Sequence, residues 1–86
     1  MGERANSKIR LNRRAFGKAV RNYRRLRNLT QEELAEKTEL DRKTISRLEN
    51  GLYSPSLDNI WAIAFALNIN PEDLLKPDAH LVKDLY

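Results

Sequence analysis

The sequence contains no cysteine. Disulfides and thiolate metal sites are thereby excluded. A single histidine, His80, stands near the C-terminal end and supports no metal site alone. The three glycines, Gly2, Gly17 and Gly51, are isolated from one another, so there is no glycine-rich loop to cradle a phosphate. The acids form no cluster suited to a metal. These gaps leave no catalytic residues, no metal ligands and no cofactor to expect, and an enzyme is the poorest reading. Apolar runs fall well short of the ~20 residues that span a bilayer. The polar, basic N-terminus lacks the apolar core of a secretory signal. A soluble, cytoplasmic protein with no membrane partner is expected. No strand candidate, internal repeat or low-complexity segment is found.

What is present is charge, unevenly placed. The chain has 86 residues and a formal net charge of +4, and its length fits one small domain. Such a chain buries only about 60–65% of its unfolded surface, so packing must be efficient. From Met1 to Arg27, ten basic residues face one acid, a balance of +9. From Asn28 to Tyr86, six basic residues face eleven acids, a balance of −5. This asymmetry points to a polyanion, with nucleic acid ahead of membrane. The alternative is a basic disordered leader.

Hydrophobic spacing and capping residues divide the chain into helices. Residues 1–11 show no sustained helical pattern and read as a flexible basic arm. From about Asn12, Phe16, Ala19, Val20, Tyr23 and Leu26 recur at spacings of three and four, while Arg14, Lys18, Arg21 and Arg25 form a basic stripe. Asn28 suits the left-handed end of that helix. Thr30 caps a second helix, with Glu33 placed to complete a capping box and Leu34 and Ala35 facing inward. Asp41 caps a third helix, to about Asn50, with Gly51 beyond its end. Ser56 caps a fourth, Leu57 to Leu67, with Ile60, Ile63, Ala64 and Leu67 on one stripe. Asn70 and Pro71 open a short fifth helix anchored by Leu74 and Leu75. Residues 76–86 form a tail. The expectation is an all-α, compact five-helix bundle whose middle helices have the spacing of a helix-turn-helix, with the domain at 12–75.

At about 100° per residue, Arg42, Lys43, Ser46, Arg47 and Asn50 fall within one polar arc of the third helix. Ile45 and Leu48 lie opposite. Such a face can enter a DNA major groove, where Arg and Lys donate to guanine O6 and N7, or it can be a solvated helix face. Its neighbours favour the first reading. Gln31 opens the preceding helix, where backbone N–H groups and a short amide can hold a phosphate. Tyr53 and Ser54 offer hydroxyls just beyond.

The segments "VRNYR", "LTQEELA", "ISRLENG", "SPSL" and "INPEDLL", over about Phe16 to Leu75, together resemble the helix-turn-helix domain of the phage repressor and Cro family, also called XRE. "LDRKTIS" followed by "SPSLDNI" is similar to restriction–modification controllers within it. The resemblance implies a lambda-repressor-like bundle that binds double-stranded operator DNA as a homodimer and regulates transcription. It places Arg42, Lys43 and Arg47, with Thr44 beside them, at base-reading positions. Gln31 and the segment after Gly51 fall at phosphate contacts. Ser46, Tyr53, Ser54, Arg21 and Arg25 complete the expected phosphate-binding set. The resemblance also implies an ion pair between Arg24 and Glu49.

Glu39 departs from the family, which usually has Gly in that turn. If the turn needs positive φ, Glu39 is strained by ~1–2 kcal/mol; otherwise the turn differs. Asn28 likewise stands where Gly is common. Trp61 and Phe65 lie off the fourth helix's main stripe. They widen the core, are covered by the tail through Leu81, Val82, Leu85 and Tyr86, or meet a second copy with those tail residues; the dimer contact is favoured. The arm is assigned a nonspecific electrostatic role in preference to minor-groove entry. A different class remains, an antitoxin-type interaction module whose tail binds a partner protein.

Overall fold

A computed structural model describes residues 3–76, with side chains from Asn6 onward. Five helices follow in order: α1 Glu3–Leu26, α2 Gln31–Thr38, α3 Arg42–Glu49, α4 Leu57–Leu67 and α5 Pro71–Leu75. The described residues contain no strand, and the all-α five-helix expectation holds. No helix is long and apolar enough to cross a membrane among them. The expectations for Leu81, Val82, Leu85 and Tyr86, and for the tail as a partner-binding segment, lie outside the described residues.

Helices α2 to α5 each start where a side chain satisfies an otherwise orphaned N–H. Thr30 Oγ1 accepts from the Glu33 N–H at 3.0 Å, and Glu33 Oε1 accepts from the Thr30 N–H at 2.8 Å. Asp41 Oδ1 accepts from the Thr44 N–H at 2.7 Å. Ser56 Oγ accepts from the Asn59 N–H at 3.1 Å. At α5, Asp73 Oδ2 accepts from the Asn70 N–H at 3.2 Å.

The first four helices end in one shared way. A residue with positive φ (Asn28, Glu39, Gly51 or Asn68) turns the chain. The apolar residue after it (Leu29, Leu40, Leu52 or Ile69) then donates its N–H to a carbonyl five residues back, at 2.8–3.1 Å. This is the Schellman motif. Leu29, Leu40 and Ile69 continue into the core. Glu39, with φ 61° and ψ 22°, therefore occupies the left-handed region that favours glycine, and the strained alternative is the one observed.

The core joins Phe16, Ala19 and Val20 of α1 to Leu34 and Ala35 of α2. Ile45 and Leu48 of α3, the α4 stripe and Leu74 complete it. Two expected core positions are corrected. Leu26 is exposed: it is the last residue of α1, and the chain returns to the core at Leu29 instead, while the exposed Arg27 donates from Nε to the Leu67 carbonyl at the end of α4 at 2.8 Å. Leu75 is exposed as well, because a five-residue helix has only one inward position here, and Leu74 takes it.

The larger correction is at the N-terminus. The segment read as a flexible arm is helical from Glu3. No Gly or Pro interrupts positions 3–16. Half-buried Ile9, seven residues before Phe16, extends the apolar stripe by two turns at helical spacing.

Candidate nucleic-acid interface

The third helix presents the arc that its sequence describes. Arg42, Lys43, Arg47 and Asn50 are exposed, Thr44 and Ser46 are half-buried beside them, and Ile45 and Leu48 are fully buried opposite. Asp41 spends its carboxylate on the helix start. The bond from the Thr44 backbone holds its carboxyl below the usual carboxylate range, so it stays ionised as a cap rather than as a competitor for the arginines. The outward face of α3 is left with its cations.

At the other end of α3, Glu49 is buried and surrounded by donors. Arg24 grips it with a fork: Nε to Oε2 at 2.7 Å and Nη2 to Oε1 at 3.1 Å. The remaining Arg24 nitrogen, Nη1, donates to the Leu29 carbonyl at 2.7 Å. Oε1 also accepts from Gln31 Nε2 at 3.2 Å and from Arg21 Nε at 3.3 Å. Arg21 Nη2 reaches Asn50 Oδ1 at 3.0 Å. Burial alone would push the Glu49 carboxyl up. The bonds from Arg24, Gln31 and Arg21 and the Arg24 charge outweigh that, and the group lies below its usual value. One carboxylate thus ties α1, α2 and α3 together, and its partner Arg24 adds the α1–α2 turn.

A third contact sets how closely α1 approaches. A Cβ built on Gly17 would lie 2.4 Å from the Leu48 carbonyl oxygen and 2.7 Å from that of Glu49. Both obstacles are backbone, so only glycine lets α1 lie against the last turn of α3.

A mounted basic helix preceded by a short capped helix is the geometry of a helix-turn-helix, and a family model described as Helix-turn-helix matches residues 20–74. The chain belongs to the helix-turn-helix (XRE) family. It is 46% identical over 61 residues to the control protein C.BamHI of Bacillus amyloliquefaciens, covering 70% of this chain and 75% of that protein. Its fold is similar to the crystal structure of the restriction–modification controller protein C.AhdI from Aeromonas hydrophila. That match has a TM-score of 0.73 and 37% identity over 76% of this chain and 94% of the other. The clp gene regulator ClgR of Corynebacterium glutamicum superposes with a TM-score of 0.76 at 30% identity, covering 81% and 90%. The protein is a DNA-binding transcriptional regulator, and the family is one of regulators rather than enzymes.

Within this helix-turn-helix protein, the expected phosphate contacts are placed differently from one another. Arg25 and Ser54 are exposed. Tyr53 is half-buried against the core, and its hydroxyl accepts from Asn59 Nδ2 at 3.3 Å, which leaves the phenol proton for donation. Gln31 and Arg21 are not isolated surface groups: both donate to Glu49. Arg21 uses two of its five N–H donors there and at Asn50, and its side chain is one-third exposed. Gln31 gains that role through Glu49, a partner 18 residues away, which no local pattern signals.

Proposed function

We propose that the protein is a controller-like regulator that binds a near-palindromic operator as a homodimer, with α3 in the major groove. Arg42, Lys43 and Arg47 read bases, with Thr44 beside them. Gln31, Ser46, Tyr53, Ser54, Arg21 and Arg25 hold phosphates. The observation that carries this reading is the exposed cationic arc of α3, free of acids and fixed to the bundle through Glu49. Two relatives are named as control or controller proteins, which favours that branch of the family.

The homodimer reading is supported by α4. Trp61 is 46% and Phe65 is 85% exposed, although both are large and apolar, and they border a cleft with Ile69 and Pro71. Apolar surface of this kind on a small protein marks association. Two copies joined there would present two α3 helices to successive major grooves, about one helical turn apart. Selection of bound sequences from a random DNA pool at near-physiological salt tests the proposal. Enrichment of a motif with two related half-sites is expected, and a pool that returns no motif contradicts it. Sedimentation at micromolar concentration should show a dimer, and Phe65→Asp should yield monomers.

A further inference from the structure

We propose that the N-terminal half of α1 is a second DNA-backbone ridge, in which Arg10 and Arg14 hold phosphates beyond the end of α3. This rests on the operator-binding reading and extends it to residues before the family match, which begins at residue 20.

The placement follows from how α1 crosses α3. Gly17 seats α1 on the last turn of α3. One turn after that crossing, Arg21 bonds Asn50. One turn before it, Arg14 lies on Gly51: a Cβ built on Gly51 would be 2.6 Å from Arg14 Cγ. A further turn back, Arg10 joins Ser7, Leu11 and Arg14 in an open groove whose opposite wall is Asn50, Gly51 and Leu52. The two arginines therefore stand next to the end of the helix whose face carries Arg47.

Their chemistry fits a polymeric anion. At about 100° per residue, Arg10, Arg14, Arg21 and Arg25 fall within roughly 60° of one another, so one face of α1 carries a row of guanidinium groups. Arg10 and Arg14 are exposed. Among the described residues, the only carboxylate ion pairs are those of Arg21 and Arg24 with Glu49, so the two outer arginines are not neutralised. A row of like charges spaced by one or two helical turns matches an anion that repeats its charge along a strand, and arginine grips phosphate with a fork of donors. Held on a rigid helix rather than a flexible arm, these charges lie at a fixed position relative to α3.

The test compares the wild type with Arg10→Gln/Arg14→Gln, binding both the selected operator and an unrelated duplex at several salt concentrations. Lys76→Gln, next to Leu75 on the flank of α1 that carries Ile9 and Arg13, controls for loss of charge as such. Both altered arginines are exposed, so the melting temperature should hold. The slope of log Kobs against log salt should become shallower by about 0.9 for each phosphate that is no longer neutralised. Affinity for both duplexes should fall together, with the selected motif unchanged, and Lys76→Gln should behave as wild type. Hydroxyl-radical protection should disappear from the backbone at the flanks of the site alone. An unchanged slope with intact folding overturns the proposal, and so does an equal effect of Lys76→Gln. A changed motif overturns it too, by making these residues base readers. If the wild type selects no motif, the operator reading fails on its own, while the slope on the unrelated duplex still decides for or against the ridge.

Discussion

Glu49 Oε2 accepts from Arg24 Nε at 2.7 Å, and both side chains are buried. Removing the carboxylate leaves the Arg24 guanidinium enclosed without its counter-charge. Breaking one partner of a buried pair costs about 3–5 kcal/mol. At about 4–8 °C per kcal/mol for a domain this size, Glu49→Ala should lower the melting temperature by roughly ten degrees or more. A thermal melt that matches the wild type would show that the pair is not structural.

The same carboxylate makes stability depend on acidity. Its pKa in the folded state lies below the ordinary glutamate value, because the donors around it outweigh its burial. The unfolded chain therefore binds this proton more readily than the folded one. The contribution is complete above the ordinary value of about 4.3 and is lost as pH falls through the folded-state pKa. Denaturant midpoints of wild type and Glu49→Gln should differ most near neutrality and converge in acid. Asp41 and Glu33 are also held low by their capping bonds, but they titrate alike in both proteins and cancel. A difference that stays constant down to acid pH contradicts this account.

Arg42 and Arg47 are exposed and contribute little to packing. Arg42→Ala and Arg47→Ala should leave the melt unchanged and each remove about 1–3 kcal/mol of discrimination at one position of the half-site. Sequence selection on each variant checks this. Weaker binding with an unaltered motif would reassign these residues to phosphates.

Glu39 sits at φ 61° on an exposed surface. Glycine there relieves about 1–2 kcal/mol of backbone strain and gives back about 0.4–1 kcal/mol through its freer unfolded chain. Glu39→Gly should therefore stabilise the protein slightly. A lower denaturation midpoint would mean that the Glu39 side chain contributes more than its conformation costs.

Gly17 presents the opposite case. Alanine is the better helix former by about 1 kcal/mol, yet its methyl group would meet two backbone oxygens of α3. Overpacking of this kind costs about 1–3 kcal/mol, so Gly17→Ala should destabilise on balance. It should also weaken DNA binding, since α1 and α3 must separate. A stabilised variant would show that the helices do not approach this closely.

Much of this was legible because it is local. Thr30, Asp41 and Ser56 announce helix starts three residues ahead of their bonding partners. The Ile60, Ile63, Ala64 and Leu67 stripe is a periodicity that burial then obeys. The Arg24–Glu49 pair, 25 residues apart, was legible only through family resemblance. The start of α1 was missed because charged residues crowd positions 3–14 and Ile9 is a lone apolar mark. The helix ends at Asn28 and Gly51 were legible from the residues themselves, and the apolar residue after each left-handed position, in "NL", "EL", "GL" and "NI", is a further local signal that extends to Glu39 and Asn68. The convergence of Gln31 and Arg21 on Glu49 needs three elements to be assembled first.

Those helix ends determine where the chain has slack. Leu29, Leu40 and Ile69 are each followed at once by the cap of the next helix, Thr30, Asp41 or Asn70. No spacer residue separates one helix's closing device from the next one's opening. A residue inserted within a helix rotates everything after it by about 100°, and at these three junctions it must break a cap or a closure. After Leu52, by contrast, Tyr53, Ser54 and Pro55 intervene before the cap at Ser56. That stretch is the bundle's single adjustable joint among the described connections. Loop grafts, tags or natural length variation belong there, where they would reshape the proposed phosphate-contacting segment while leaving the outward arc of α3 in place.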